Sequence, residues 1–372
     1  MSYIGIPLFL CYNNFITFKL TFMTIKELLK KACDEGASDL HILVGLAPAL
    51  RIDGDLKYID GQKAMTVKEM DTILTSLVSA EEKKKFYDEK ELDVSFDQDG
   101  YRFRINFHFE RGNIGLVARV ISGEIPTMED LNIPQVVYNL LGVKQGLILV
   151  TGPTGCGKST TLASMVNHIN ENKFCNIITL EDPIEYMFTS KKSLIMQRQL
   201  GRDMKDFSSG LRHALRQDPD VIMVGEMRDL ETIATTITLA ETGHLVLATL
   251  HTYNAAQTVD RIIDIFPPHQ QGQIRTQLSM TLAGVISQRL LQKTDGGRVA
   301  TREIMVNNPA ISNIIRENKV AQIRTVIETS SREGMVSLDQ DIKRLYMEKQ
   351  ISKETARSYM ENPEILDKMK IF

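Results

Sequence analysis

The run GLILVTGPTGCGKSTTLASMVNHI, residues 146–169, constrains the fold more than any other stretch of the chain. An apolar segment ends in a glycine-rich loop, and the loop opens directly into a helical pattern. Gly152, Gly155 and Gly157 put no side chain in the way, so the loop of Gly152, Pro153, Thr154, Gly155, Cys156 and Gly157, running on to Thr160, can surround phosphate oxygens with its backbone N–H groups, all but that of Pro153, at the positive end of a helix. Lys158 is placed to reach the β- and γ-phosphates of a nucleoside triphosphate, and the Ser159 hydroxyl to ligate Mg²⁺. A solvated surface loop is the plain alternative. The strand pattern before the loop and the helix pattern after it argue for ATP. Cys156 is an unusual residue in such a loop, but only its backbone is needed there.

A chain of 372 residues with 43% hydrophobic and 24% charged residues is long enough for two soluble domains with a core each. The net charge of −3 gives no basic footprint, and there is no tryptophan to stack on bases. A RecA-like nucleic-acid translocase, which would share the loop, is therefore the weaker alternative, and no nucleic-acid partner is expected. The short clusters at Lys83–Lys85 and Lys191–Lys192 read as solvated faces. Cys11, Cys33, Cys156 and Cys175 form no C-x-x-C pair, so neither zinc nor a disulfide framework is implied, and a reducing cytosol fits best. Residues 1–22 are mostly apolar but lack a basic start and a cleavage site, and Asn13 and Asn14 interrupt the run. They are expected to be an upstream start or a poorly ordered tail.

From Thr24 a helix, two strands (SDLHILVG and LRIDGDL), two helices with capping-box starts at Thr66 and Ser79, and a hairpin turning at Asp99-Gly100 define an α+β domain over residues 23–121. In YRFRINFHFE the residues Tyr101, Phe103, Ile105, Phe107 and Phe109 face one way, and Arg102, Arg104, Asn106 and His108 the other. The proline-containing stretch 122–134 is the expected linker and hinge. Beyond it, alternating strands and helices predict an α/β core with a mostly parallel sheet over residues 135–295, with a long helix through Gln273–Leu291. Residues 296–372 are expected to be mostly helical, with one strand at RVATREIMV.

In a parallel sheet, ligands sit at the carboxyl ends of the strands. NIITLE ends there in Glu181, followed by Asp182 and Glu185, a place to orient an attacking water. DPDVIMVGE has the apolar run of a Walker B strand with Gly225 where an aspartate is usual, which leaves Glu226 to act on Mg²⁺ through water. GHLVLATLHT is bracketed by His244 and His251. His251 lies at the carboxyl end, suited to sense the γ-phosphate, and His244 at the other.

The segments GPTGCGKS (152–159), ITLEDPIEY (178–186), LRQDPDVIMVGEMRD (215–229), AETGHLVLATLHT (240–252) and DRIIDIFPPHQQ (260–271) together resemble the PilT family of type IV pilus retraction ATPases, within the secretion ATPase superfamily. The resemblance implies a PAS-like N-terminal domain, a RecA-like ATPase domain, and a homo-hexamer with ATP at subunit boundaries. It implies Glu181 as catalytic carboxylate, Glu226 as the Walker B glutamate, His244 and His251 as the His-box pair, and Arg104 and Arg119 as arginines that approach the phosphates. The alternative for each arginine is an ordinary ion pair across the domain interface. The implied function is a cytoplasmic motor for pilus retraction and twitching motility, at the inner membrane through a platform protein and possibly a paralogous ATPase.

The chain has no cysteine after Cys175, so the tetracysteine insert of the assembly ATPases is missing, which favours the retraction branch. AISNIIR (310–316) carries Ser312 where the family has an arginine, and the tail from Tyr359 resembles that of the PilU paralogue. An accessory retraction ATPase is therefore the alternative. A scaffold that binds ATP without turnover is disfavoured by the intact Lys158, Ser159, Glu181 and Glu226 set.

Overall fold

A computed structural model of the protein describes residues 23–52, 54–121 and 124–367. The expectation for residues 1–22 lies outside the described residues, as do Ser122 and Gly123 of the expected linker and the end of the tail, 368–372. The chain divides into two compact units, Met1–Gly123 and Glu124–Phe372.

In the first unit, α1 (Ile25–Asp34) starts at Thr24, whose side chain and that of Glu27 cap each other's backbone, and it buries Ile25, Leu28, Leu29 and Ala32. Strands β1 (Asp39–Leu43), β2 (Ala49–Ile52) and β3 (Asp55–Tyr58) follow, so LRIDGDL breaks into a tight hairpin instead of one strand. Helices α2 (Val67–Leu77) and α3 (Ala80–Glu89) both begin at the expected capping boxes. Strands β4 (Glu91–Gln98), β5 (Tyr101–Glu110) and β6 (Asn113–Ile121) complete an antiparallel sheet in the order β3-β2-β1-β6-β5-β4. Phe103, Ile105 and Phe107 enter the core, while Tyr101 is exposed and Phe109 stacks on Phe86 at 4.9 Å. Arg102 departs from the expected solvent-facing row. It is 5% exposed and pairs with Asp97 across the hairpin at 3.1 Å.

The second unit runs α4 (Gln135–Leu141), β7 (Gly146–Thr151), α5 (Lys158–Asn172), β8 (Asn176–Glu181), β9 (Leu194–Gln199), α6 (Phe207–Ala214), β10 (Val221–Val224), α7 (Leu230–Glu241), β11 (Leu245–Leu250), α8 (Ala255–Asp264), α9 (Pro268–Thr281), β12 (Leu282–Gln292) and β13 (Arg298–Val306). Helices α10 (Pro309–Arg316), α11 (Ile323–Thr329), α12 (Leu338–Met347), α13 (Lys353–Tyr359) and α14 (Glu364–Asp367) follow. The sheet order is β13-β12-β7-β11-β10-β8-β9, parallel except for the β12/β13 pair. Apolar cores lie on both faces, so β7, β10 and β11 are buried along their whole length. A strand covered on both sides reads as a continuous apolar run.

That same property corrects one expectation. The helix through Gln273–Leu291 stops at Thr281, and Leu282–Gln292 is a strand between β7 and β13. A short apolar run looks alike as a buried strand or a buried helix, and the pairing with β7 decided it. Since β13 is hydrogen-bonded to β12 along nine residue pairs, Arg298–Val306 extends the second unit's sheet past residue 295, and no boundary falls there. The expected linker is also shorter at its second half. Met128 and Ile133 are 1% and 7% exposed in the core beneath α4, because the turn at Thr127–Asp130 folds them under it.

Candidate active site

The adjacent strands β7, β11, β10 and β8 end side by side, and their carboxyl ends lead into the glycine loop, His251, Glu226 and Glu181. Residues far apart in sequence are thereby placed along one edge of the sheet.

The loop itself is shaped by close approach. Gly152 has φ 145°, and a Cβ there would lie 2.3 Å from the Gln288 carbonyl oxygen and 2.6 Å from Cys156 Sγ. Gly155 and Gly157 also adopt positive φ, at 77° and 86°. α5 begins at Lys158 without a side-chain cap, which leaves its first N–H groups to an outside acceptor. Cys156 is 2% exposed, and burial pushes its thiol up, so it stays neutral at neutral pH. Thr160 Oγ1 lies 2.9 Å from Tyr186 Oη, which ties the first turn of α5 to the loop after β8.

Lys158 Nζ donates to the carbonyls of Gly152 and Pro153 at 2.8 and 3.1 Å and lies 3.4 Å from His251 Nδ1. With Lys158 donating to Nδ1, the ring proton sits on Nε2 and points at Glu226 Oε1, 3.3 Å away. Glu226 is closed from the other side by Arg228 at 2.8 Å. Burial raises the Glu226 carboxyl, but Arg228 and His251 outweigh it and hold it below the ordinary range, so it remains anionic. For Lys158, burial lowers the ammonium below its usual value.

Gly225, where an aspartate is usual, fits a crowded spot. A Cβ there would stand 3.1 Å from the Leu180 oxygen and 3.3 Å from the Glu181 Cα, pressing on the strand that carries the carboxylate. Glu181 is 7% exposed, and burial pushes its carboxyl up. Its Oε1 accepts from Thr179 Oγ1 at 2.6 Å and from Gln197 Nε2 at 3.1 Å, which fixes its direction. Gln197 also holds the loop after β8, donating to Tyr186 O and accepting from Phe188 N.

Not every expected residue joins this group. His244 lies at the opposite end of β11, where Nδ1 is 3.0 Å from Leu239 O and 3.3 Å from Thr242 Oγ1, a structural setting. Arg104 and Arg119 are direct cross-strand neighbours on β5 and β6 of the first unit. There Arg104 pairs with Asp93 at 3.6 Å and Arg119 with Asp39 at 2.9 Å. The carboxylate partners are thus within the arginines' own unit.

Sequence reading missed Gln197, Thr161, Gln288 and Arg302. Gln288 and Arg302 are buried beneath the loop, at 2% and 4% exposure. A glutamine and an arginine inside apolar strands are a signal, but the helical reading of Gln273–Leu291 hid the first. Among the described residues no group of three or more His, Cys, Asp or Glu side chains could hold a metal. A Mg²⁺ ion carried by nucleotide phosphates needs no such cage, and the Ser159 hydroxyl with the anionic Glu226 suits it.

Known proteins place this arrangement. Residues 18–367 match the model of the family described as Type II/IV secretion system protein. The chain is 47% identical to the type IV pilus retraction ATPase PilT of Pseudomonas aeruginosa, over 92% of this chain and 99% of that protein. It is 35% identical to the type IV pilus ATPase PilU of the same organism, over 91% and 89% of the two chains. The crystal structure of the pilus retraction motor PilT with bound ADP superposes with a TM-score of 0.88 at 45% identity, covering 94% of this chain and all of that one.

Proposed function

The chain belongs to the Type II/IV secretion system protein family, and on that premise we propose that it is an ATP-hydrolysing motor for type IV pilus retraction and twitching motility. The observation that carries this reading is the row of Lys158, His251, Glu226 and Glu181 along the carboxyl edge of the RecA-like sheet. A loop that grips phosphates, a chain of charge that reaches it, and a buried carboxylate with a raised affinity for protons are the parts that phosphoryl transfer to water requires.

In the proposed cycle, the backbone of Gly152–Thr160 and Lys158 bind the triphosphate. Glu181, aimed by Thr179 and Gln197, accepts the proton of the attacking water. His251 lies between Lys158 and Glu226, so a change at the γ-phosphate alters the Glu226 environment. Ser159, and Glu226 through a water, would hold Mg²⁺, which would supply positive charge to the phosphate oxygens. Arg104 and Arg119 supply further positive charge from the first unit once released from Asp93 and Asp39, and His244 acts at the far end of its strand in support of the same sheet. Ring assembly as a homo-hexamer with nucleotide at subunit boundaries turns successive domain closures about the part of the 122–134 stretch that precedes the packed Met128 into work. Such closures follow only from differential contacts in each nucleotide state. The motor would act in the cytoplasm on an inner-membrane platform protein, alongside a paralogous ATPase. Among the described residues no helix is long and apolar enough to cross a membrane.

Ser312 favours a second reading, an accessory retraction ATPase. Its hydroxyl donates to Ser279 O at 2.8 Å, with Asn307 Oδ1 3.1 Å away as the alternative acceptor of the same proton, fastening α10 to the end of α9 instead of presenting an arginine. Complementation of a retraction-deficient strain with the wild-type chain and with Lys158→Ala, read beside purified ATPase activity, separates the readings. Retraction restored by the wild type alone supports the primary motor. Hydrolysis without restored retraction supports the accessory one, and absence of hydrolysis overturns both.

A further inference from the structure

Resting on the ATPase reading, we propose that Gln288 and Arg302 are positioning residues that set the phosphate-binding loop from beneath. Gln288 Nε2 donates to the Cys156 carbonyl at 2.6 Å, and its Oε1 accepts from Thr161 Oγ1 at 2.9 Å and from Arg302 Nε at 3.1 Å. One amide therefore grips the loop on both sides of Gly157 and Lys158. The backbone oxygen of the same residue occupies the space that a Cβ at Gly152 would need. Thr151 Oγ1 donates to Ser287 Oγ at 2.9 Å, adding a stitch one residue before the loop.

The Cys156 carbonyl is the informative contact. In a planar trans peptide the C=O and the next N–H point in opposite directions. Drawing the Cys156 oxygen down to Gln288 turns the Gly157 N–H away from β12, outward into the cradle where phosphate binds. The bond thus orients a donor that touches the ligand, although Gln288 itself does not.

Arg302 decides which way the amide faces. A glutamine amide can be turned end for end, but a guanidinium only donates, so it must meet Oε1 and leave Nε2 for Cys156. The rest of the guanidinium donates to Leu131 O at 3.0 Å and Asn132 O at 3.3 Å. The Arg302 backbone N–H donates to Asp341 at 2.9 Å, which locks its stretch of β13 to α12. The loop, Gln288, Arg302 and the opening segment of the second unit are therefore one hydrogen-bonded series, buried at Cys156, Thr161, Gln288 and Arg302.

The test uses the full chain and the variants Gln288→Glu and Arg302→Lys. Gln288→Glu keeps the acceptor for Thr161 and Arg302 but loses the donor to Cys156. Binding of a fluorescent ADP analogue is expected to weaken about tenfold, and the KM for ATP to rise to match, with kcat nearly unchanged, since the loop holds substrate and transition state alike. Melting without nucleotide is expected to stay within a few degrees, because the new carboxylate faces Arg302. Arg302→Lys keeps the charge but cannot serve Oε1 and both carbonyls together, so about a threefold loss is expected even if Gln288→Glu fails to fold. Folded variants whose affinity and KM stay within about twofold of wild type overturn the proposal, as does a lower melting temperature with KM unchanged. A wild-type chain that binds no ADP analogue overturns the ATPase reading and the positioning role with it.

Discussion

Glu303→Gln is expected to make the second unit more stable at neutral pH and to have no such effect in acid. Glu303 lies on β13, 8% exposed, and its Oε1 accepts from the Ala255 N–H at the start of α8. Burial pushes its carboxyl from the ordinary 4.5 up to about 6, with Glu361 adding to the rise and the Ala255 bond, Arg324 and Arg289 opposing it. A raised folded-state value means the folded chain holds this proton more tightly than the unfolded chain. The contribution to stability is complete below about pH 4.5 and is lost as pH rises through about 6. At 1.36 kcal/mol per pH unit, the ionised group leaves the fold about 2 kcal/mol less stable at pH 7.5 than a neutral one would. Glutamine keeps an oxygen for Ala255 and never ionises. Thermal unfolding followed from pH 4.5 to 8 should show the variant melting about 4–8 °C higher at pH 7.5, from ~2–4 °C per kcal/mol for a unit of this size. The gap should close toward pH 4.5. A variant that melts lower at pH 7.5, or a gap that ignores pH, would refute the assignment of the penalty to the buried charge.

Two further expectations concern turnover and binding. Glu181→Gln should bind ADP with affinity near wild type while kcat falls by about 10²-fold or more; lost binding would show that Glu181 holds the loop instead of the water. Gly152→Ala should abolish nucleotide binding, because its Cβ would sit 2.3 Å from the Gln288 backbone oxygen, and Gln288 is held in register with Arg302 of β13. Wild-type affinity in that variant, read by calorimetry, would contradict the tight packing of the loop on β12.

Much of the site was legible because its chemistry is local. The spacing of Gly152, Gly157, Lys158 and Ser159 states the loop, and an apolar strand ending in Glu181, Glu226 or His251 states which end faces ligand. The six-residue strand Leu245–Leu250 is flanked by His244 and His251, so their separation was readable too. The ion pairs of Arg104 and Arg119 were not, because Asp39 lies 80 residues from Arg119 and nothing in either segment announces the other. The strand at Leu282–Gln292 was misread for a related reason. Its pattern is that of any buried segment, and only β7 and β13 on either side make it a strand.

Sequence alone determined that this chain has a strand–loop–helix able to grip a triphosphate, carboxylates and a histidine at strand ends, and a separate α+β unit before it. These follow from backbone freedom at glycine, the period of apolar residues and capping chemistry, all of which act within a few residues. Tertiary structure decided the order of the strands, and with it which ends become neighbours. It also decided that Gln288, 132 residues from Cys156, would face the loop it orients. Hydrogen bonds between distant segments are specified by how two faces of a sheet are covered, and that is a property of the whole core.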